Sequence, residues 1–178
     1  MSGRGRFIVK KTGDEQIGSA IDFSLKMIQE VYGRGLNPVW DYDLLHFEEM
    51  YLRRPGNAFF TAYNEKEKIV GSLAVRRYNG RIKALEGLCG LTSTAELAKC
   101  FVDRECRRAG IGSLLVREAE QFCRSAGYKI IYLHTHQFLP GAPEFWLSQG
   151  FRVILEEEDP QQTVHMEKVI YQNCSRIK

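Results

Sequence analysis

Arg107-Arg108-Ala109-Gly110-Ile111-Gly112 is the stretch on which the reading of this chain turns. It follows an apolar run, residues 97–102, and opens a strongly amphipathic one. A basic, glycine-punctuated turn between a strand and a helix is suited to holding a phosphate. Glycines let the backbone come close to an anion. The first helical turn offers N–H groups and the positive end of the dipole, and the arginines add charge and donors. The pattern points to a pyrophosphate-bearing ligand. A plain helix start with solvated arginines would share these six residues, so the flanks decide between the two. The glycine spacing does not fit the Gly-x-Gly-x-x-Gly of a dinucleotide fold.

Outward from the turn, Leu114, Leu115, Ala119, Phe122, Cys123 and Ala126 recur at helical spacing, and Gly127 closes that helix. Residues 95–102 before it and 129–134 after it read as strands. Residues 143–149 read as a short helix capped by Gly150, and 152–156 and 163–170 as two closing strands. Toward the start, residues 58–63 and 69–75 flank the polar turn Asn64-Glu65-Lys66-Glu67 as a hairpin. Earlier come a short strand at 7–9 and a helix with Ile17, Ala20, Ile21, Leu25, Ile28 and Tyr32 on one face, stopped by Gly33 and Gly35. A second helix follows from Asp43, as N-cap, to Tyr51. Residues 78–94, with the basic cluster Arg76, Arg77, Arg81 and Lys83, read as a variable connection. The order β-αα-βββ-α-β-α-ββ implies an α/β fold with a mixed sheet.

The chain has 178 residues, which suits a single domain over 1–178, and 44% hydrophobic residues, enough for a sizeable core. A net charge of +3 is too small to argue for nucleic acid as a partner. No window approaches the roughly 18 apolar residues of a membrane span, and the first residues show no apolar signal segment. Five cysteines, at 89, 100, 106, 123 and 174, form no metal-type spacing and read as free thiols of a reducing cytosol. The expected localisation is therefore cytoplasmic, away from membranes.

From residue 95 to 151 the sequence resembles the GNAT superfamily of acyl-CoA-dependent N-acetyltransferases. The family turn Arg/Gln-x-x-Gly-x-Gly/Ala is matched by Arg107, Gly110 and Gly112, and the apolar strand end before it by Val102. Leu133-His134-Thr135 matches a later strand element. Ala142, Phe145, Gly150 and Phe151 match the final Ala-x-x-aromatic…Gly-Phe element. The resemblance implies a GNAT-type mixed, mostly antiparallel central sheet flanked by helices, with strands 4 and 5 parallel and splayed. It implies an acetyl-CoA site between those strands, as cosubstrate, with no metal. Phe101 and Val102 would contact the pantetheine arm by their backbone. Arg107, Arg108, Ala109, Gly110, Ile111, Gly112 and Ser113 would cradle the pyrophosphate.

Acetyl transfer to an amine requires loss of an ammonium proton, a polarised thioester carbonyl and departure of the thiolate. In histone-type members a glutamate in the same Ala-Glu context, the same distance before the signature arginine, is the base, and Glu96 stands there. The same residue also reads as a surface carboxylate at a strand start. Val102 N–H is the expected carbonyl polariser. Many members use a tyrosine as acid where this chain has Trp146, and an asparagine seven residues earlier where it has Leu139. An indole is no proton donor at neutral pH, so Trp146 reads as an apolar wall beside the cofactor's thiol arm. His134 or His136 are candidates for the acid, or else ordinary polar residues at a strand end. Cys100 reads as a buried thiol and not a nucleophile.

The acceptor is expected to be an amine on a small molecule or a protein. Its site is expected in the first half, where residues 32–42 with Trp40 and Asp41 form an aromatic-and-acid loop. The same loop also reads as a connection whose Trp40 packs on the core. The closing strands offer an edge for a homodimer. A catalytically weak acyl-CoA-binding sensor, or a phosphate-binding protein of another family, are the alternatives.

Overall fold

The computed structural model describes residues 6–87 and 93–170. Along them run β1 (Ile8–Lys11), α1 (Ile17–Tyr32), α2 (Tyr42–Leu45), β2 (Ala58–Tyr63), β3 (Ile69–Arg77), β4 (Thr94–Val102), α3 (Ile111–Ser125), β5 (Ile130–His136), α4 (Ala142–Ser148), β6 (Arg152–Glu156) and β7 (Thr163–Val169). The strands are hydrogen-bonded in the order β1-β2-β3-β4-β5-β7-β6. β4 and β5 are parallel, and β1-β2, β2-β3, β5-β7 and β6-β7 are antiparallel. This is the mixed, mostly antiparallel α/β sheet expected. The described residues divide into two compact units, one of residues 6–76 and 97–119, the other of 77–87, 93–96 and 120–170.

In the first unit β2 and β3 are buried almost throughout. That is why both read as continuous apolar runs and not as alternating ones. Asn64 makes their turn, its side-chain oxygen accepting from the N–H groups of Lys66 and Lys68 at 3.0 Å each. The buried seam of α1 is Ala20, Phe23, Met27 and Ile28. It packs with Phe47, Tyr51 and Phe59 into one core cluster, while Ile17, Ile21 and Leu25 lie only partly buried at its margin. The periodicity therefore found the helix but set its face slightly off centre.

The second expected helix is broken in two: α2 ends at Leu45, and a π-helical turn runs over Glu48–Arg53. Asp41, not Asp43, stands at the N-cap position. Asp43 lies inside α2, 2% exposed, and accepts a 2.5 Å hydrogen bond from the Tyr51 hydroxyl. Its carboxylate is consumed by a tertiary contact and not by a cap.

In the second unit, β4 and β5 are paired over Thr94↔Ile130, Ala95↔Ile131 and Glu96↔Tyr132. β5 runs to His136, two residues beyond the expected end, because β7 pairs with it along its whole length. The connection after β3 holds a short 3-10 turn, Lys83–Leu85, and its Tyr78 and Leu85 pack on Tyr132. Cys89 and Cys174 lie outside the described residues. No helix among those described is long and apolar enough to cross a membrane.

Gly71 of β3 is where α3 meets the sheet in the first unit. A Cβ there would sit 2.9 Å from Ile111 Cγ2, 3.1 Å from Leu115 Cδ1 and 3.2 Å from the Phe101 carbonyl oxygen. Gly71→Ala should destabilise the protein by about 1–3 kcal/mol through overpacking, measured by urea unfolding; an unchanged midpoint would refute this close approach.

Candidate functional site

The segment after β4 is built by Asp103. Its N–H donates to the Val70 carbonyl of β3 at 2.9 Å. Its side chain accepts from Glu105 N–H at 3.2 Å, capping the 3-10 turn Arg104–Cys106, and takes Lys26 Nζ of α1 at 3.0 Å. Hydrogen bonding to Lys26 holds the Asp103 carboxyl below its ordinary value against the opposing effect of burial, and the same bond raises Lys26. The chain then runs extended at Arg107, left-handed at Arg108 (φ +61°) and left-handed again at Gly110 (φ +85°) before α3 begins at Ile111.

A left-handed non-glycine costs about 1 kcal/mol, so Arg108 is held there by its surroundings. Residues 107–110 are exposed, and nothing lies within 4 Å of where a Cβ on Gly110 would be. The first helical bond is Leu114 N–H to the Gly110 carbonyl at 3.0 Å. Ile111, Gly112 and Ser113 thus occupy the helix head, where N–H groups point out along the axis. Ile111 itself is buried and fixes the start of the helix.

The backbone of β4 also carries information. N–H groups alternate sides along a strand. Asp103 N–H faces β3, so Val102 N–H points to the opposite edge. The Val102 carbonyl accepts from Arg107 Nε at 3.3 Å, which folds that side chain back along the strand end. Phe101 is buried in the core cluster of the first unit.

Three residues upstream of Val102, Lys99 is left-handed in mid-strand (φ +51°) and its carbonyl accepts from Ser72 Oγ at 2.9 Å. Its ammonium lies 2.8 Å from Asp41 and 3.4 Å from Asp43. Asp41 is fully buried and also binds Arg34, at 2.6 and 3.2 Å, and Asn37 N–H. Burial alone would raise its pKa; Arg34, then Lys99 and the Asn37 N–H, outweigh it and push the carboxyl well below the usual range. Arg34 lies over the rings of Trp40 (5.2 Å) and Tyr32 (5.9 Å). The aromatic-and-acid loop thus already holds a cation, from this chain itself. Trp40 is 60% exposed, which also removes the reading that packs it on the core.

The second unit gathers the other candidates. Glu96 is wholly buried, so it is not a surface carboxylate. Arg81 holds both of its oxygens: Nη1 donates to Oε2 at 2.6 Å, and Nη2 donates to Oε1. On β5, Tyr132 donates its hydroxyl to His165 Nδ1 at 2.8 Å, and His165 Nε2 donates to Glu157 at 2.5 Å. A carboxylate can only accept there, which sets the tautomer. His134 keeps solvent access, yet loss of hydration pushes its pKa down to about 4. Arg81, His136 and His165 add to this, and Glu96 opposes it. His136 is buried, bonded to the Gln161 carbonyl at 3.1 Å, and lowered by burial.

Trp146 is buried on α4, edge-on to Phe145 and Phe151 at 5.0 and 5.3 Å. Burial pushes the Cys100 thiol up to about 12, so it is no nucleophile. No group of His, Cys, Asp or Glu among the described residues is arranged to hold a metal. The sequence reading missed Asp103, Lys99, His165 and Glu157, and named Arg81 only within a basic cluster. Their partners are fixed by tertiary contacts, and no local motif marks them.

Asp103→Asn should cost about 0.5–1 kcal/mol near pH 7, because the Lys26 pair is half exposed. The lowered Asp103 pKa stabilises above the unfolded value near 3.9 and stops doing so as pH falls through the folded value. The gap between wild type and variant should therefore close in acid, measured by thermal unfolding against pH; a gap that persists below pH ~3 would refute it.

The acetyltransferase (GNAT) family pattern matches residues 25–151. Human N-acetyltransferase 8 is 30% identical over 142 residues, covering 75% of this chain and 58% of that protein, so the chain spans little more than half the length of this curated relative. The GNAT-family acetyltransferase of Staphylococcus aureus Mu50 superposes with a TM-score of 0.75 at 22% identity, over 93% of this chain and 100% of that one. The PaiA N-acetyltransferase of Thermoplasma acidophilum, in complex with coenzyme A, superposes with a TM-score of 0.66 at 16% identity, over 92% and 99%. With its Arg107–Gly112 turn on a β4–α3 junction and the family pattern running from within α1 to Phe151, just before β6, this chain belongs to the GNAT acetyltransferase family.

Proposed function

We propose that this protein is an acetyl-CoA-dependent N-acetyltransferase that moves the acetyl group directly to a primary amine in a ternary complex. The observation that carries the reading is the exposed turn at residues 107–110 leading into the head of α3. It has two left-handed residues and a helix head with open space at Gly110, the geometry that main-chain donors need around a diphosphate. The coenzyme A bound by the PaiA relative supports the same ligand. Acetyl-CoA supplies the activated acyl thioester.

The chain's own groups do the rest. Arg107, Arg108 and the N–H groups of Ala109, Gly110, Ile111, Gly112 and Ser113 bind and orient the diphosphate. Val102 N–H, pointing to the edge of β4 away from β3, polarises the carbonyl. Phe101 contacts the pantetheine arm by its backbone, and Trp146 is an apolar wall beside the thiol arm. Glu96 takes the proton that the ammonium must lose. Trp146 has none to give, so the thiolate takes its proton from water. In this reading residues 1–178 act as one catalytic domain. Cys100, Cys106 and Cys123 are free, as suits a reducing cytosol, and β6, at the end of the sheet, is the edge through which a homodimer would pair.

Calorimetry should show saturable binding of acetyl-CoA and coenzyme A, lost in Gly110→Asp, which places a carboxylate at the helix head. Thiol release from acetyl-CoA should rise with primary amines, and Glu96→Gln should lower kcat by about 100-fold or more. No heat with either ligand, together with an unaltered Gly110→Asp, would sink the assignment. Binding without amine-dependent release would instead make the protein an acyl-CoA sensor.

A further inference from the structure

Glu96 is buried to 0% exposure, and the Arg81 guanidinium donates to both of its oxygens. That guanidinium does not come from the sheet. Arg81 belongs to the connection after β3, which is fastened at two points. At one, Tyr78 donates its N–H to the Thr94 carbonyl at 3.0 Å and lays its ring against Tyr132, 4.9 Å between centroids. At the other, Leu85 is buried in a cluster with Tyr78 and Tyr132, against which Ile82, Ile154 and Leu155 pack. Between these anchors Asn79, Gly80, Arg81 and Lys83 are exposed. A strap that faces water thus lowers one cationic head onto a buried carboxylate.

A buried ionised carboxylate without a cation is costly, so Glu96 holds one for as long as it stays ionised. The demand is chemical and not specific to arginine. A primary ammonium carries three donors on a compact charge and satisfies the same two oxygens. The strap's apolar contacts, Tyr78, Ile82 and Leu85, do not depend on Arg81, so the guanidinium can swing away from Glu96 while they stay packed.

We propose that Glu96 is the ammonium subsite of the acceptor and that Arg81 is its place-holder, displaced by the amine on binding. This rests on the acetyltransferase reading and names its substrate class: a primary amine that is protonated at neutral pH. Arylamines, uncharged at that pH, offer nothing to exchange for the guanidinium. Each acceptor must compete with Arg81, so the apparent affinity is reduced by the fraction of molecules in which Arg81 has withdrawn.

The test is calorimetry of n-butylammonium chloride on the full chain saturated with coenzyme A, which cannot react, with 1-butanol as the uncharged control. Arg81→Gln should bind n-butylammonium at least about tenfold more tightly than wild type, the double variant Arg81→Gln/Glu96→Gln should not bind it, and 1-butanol should give no saturable heat with any of them. Equal affinity in wild type and Arg81→Gln, or binding retained in the double variant, overturns the proposal. Should Arg81→Gln fail to fold, hydrogen exchange of wild type decides: amides of residues 78–87 should exchange faster with n-butylammonium than with 1-butanol, and unchanged exchange overturns it. The coenzyme A titration made first keeps the two readings apart. Its failure removes the acetyltransferase assignment, while normal coenzyme A binding with a flat butylammonium response removes only the subsite.

Discussion

The turn after β4 depends on one residue, Asp103, through its backbone and its side chain. Three elements meet on it: β3 through the Val70 carbonyl, α1 through Lys26, and the following 3-10 turn through Glu105 N–H. Without such an anchor, an exposed run containing two left-handed residues would sample many conformations. A disordered loop holds an anion poorly, because ordering it on binding consumes the interaction energy. Asp103 spends that entropy during folding, and α3 starts at a fixed place because Ile111 is packed over Gly71.

The charges inside the protein follow a common rule. Each buried carboxylate has been given a cation from a different element. Asp41 has Arg34 and Lys99, Asp43 shares Lys99, and Glu96 has Arg81. Removing charges from water is costly, and pairing repays it only when the remaining lone pairs are also satisfied. These pairs are therefore weak as general stabilisers and strong as constraints on position. Asp41 shows this best. It ties the loop after α1 to Lys99 of β4, and Arg34 completes it from between two aromatic rings. The loop that reads from sequence as a cation trap is a finished structural knot. The pair at Glu96 differs, because its cation comes from an exposed strap and not from a packed element.

Much of the fold was legible. α1 and α3 announce themselves by period and glycine stops, and the β2–β3 hairpin by two apolar runs around Asn64. The turn at residues 107–112 was legible because its chemistry is local: glycine, arginine and a helix start within six residues. The errors arose where tertiary contacts override local preference. Asp43 looks like a cap until Tyr51 claims it. His134 looks like the last residue of its strand until pairing with β7 carries β5 on to His136.

By itself the sequence determined the order of elements, the mixed sheet and the glycine-and-arginine turn at the β4–α3 junction, because periodicity, glycine placement and turn chemistry act over a few residues. Only the tertiary structure decided which carboxylate is paired with which cation. The partners lie far apart along the chain, Arg81 with Glu96 and Lys99 with Asp41, and no local pattern encodes a distance across the fold. Whether an acid is an open site or a closed ion pair depends on that distance, because the attraction between charges grows steeply as they approach and lose water.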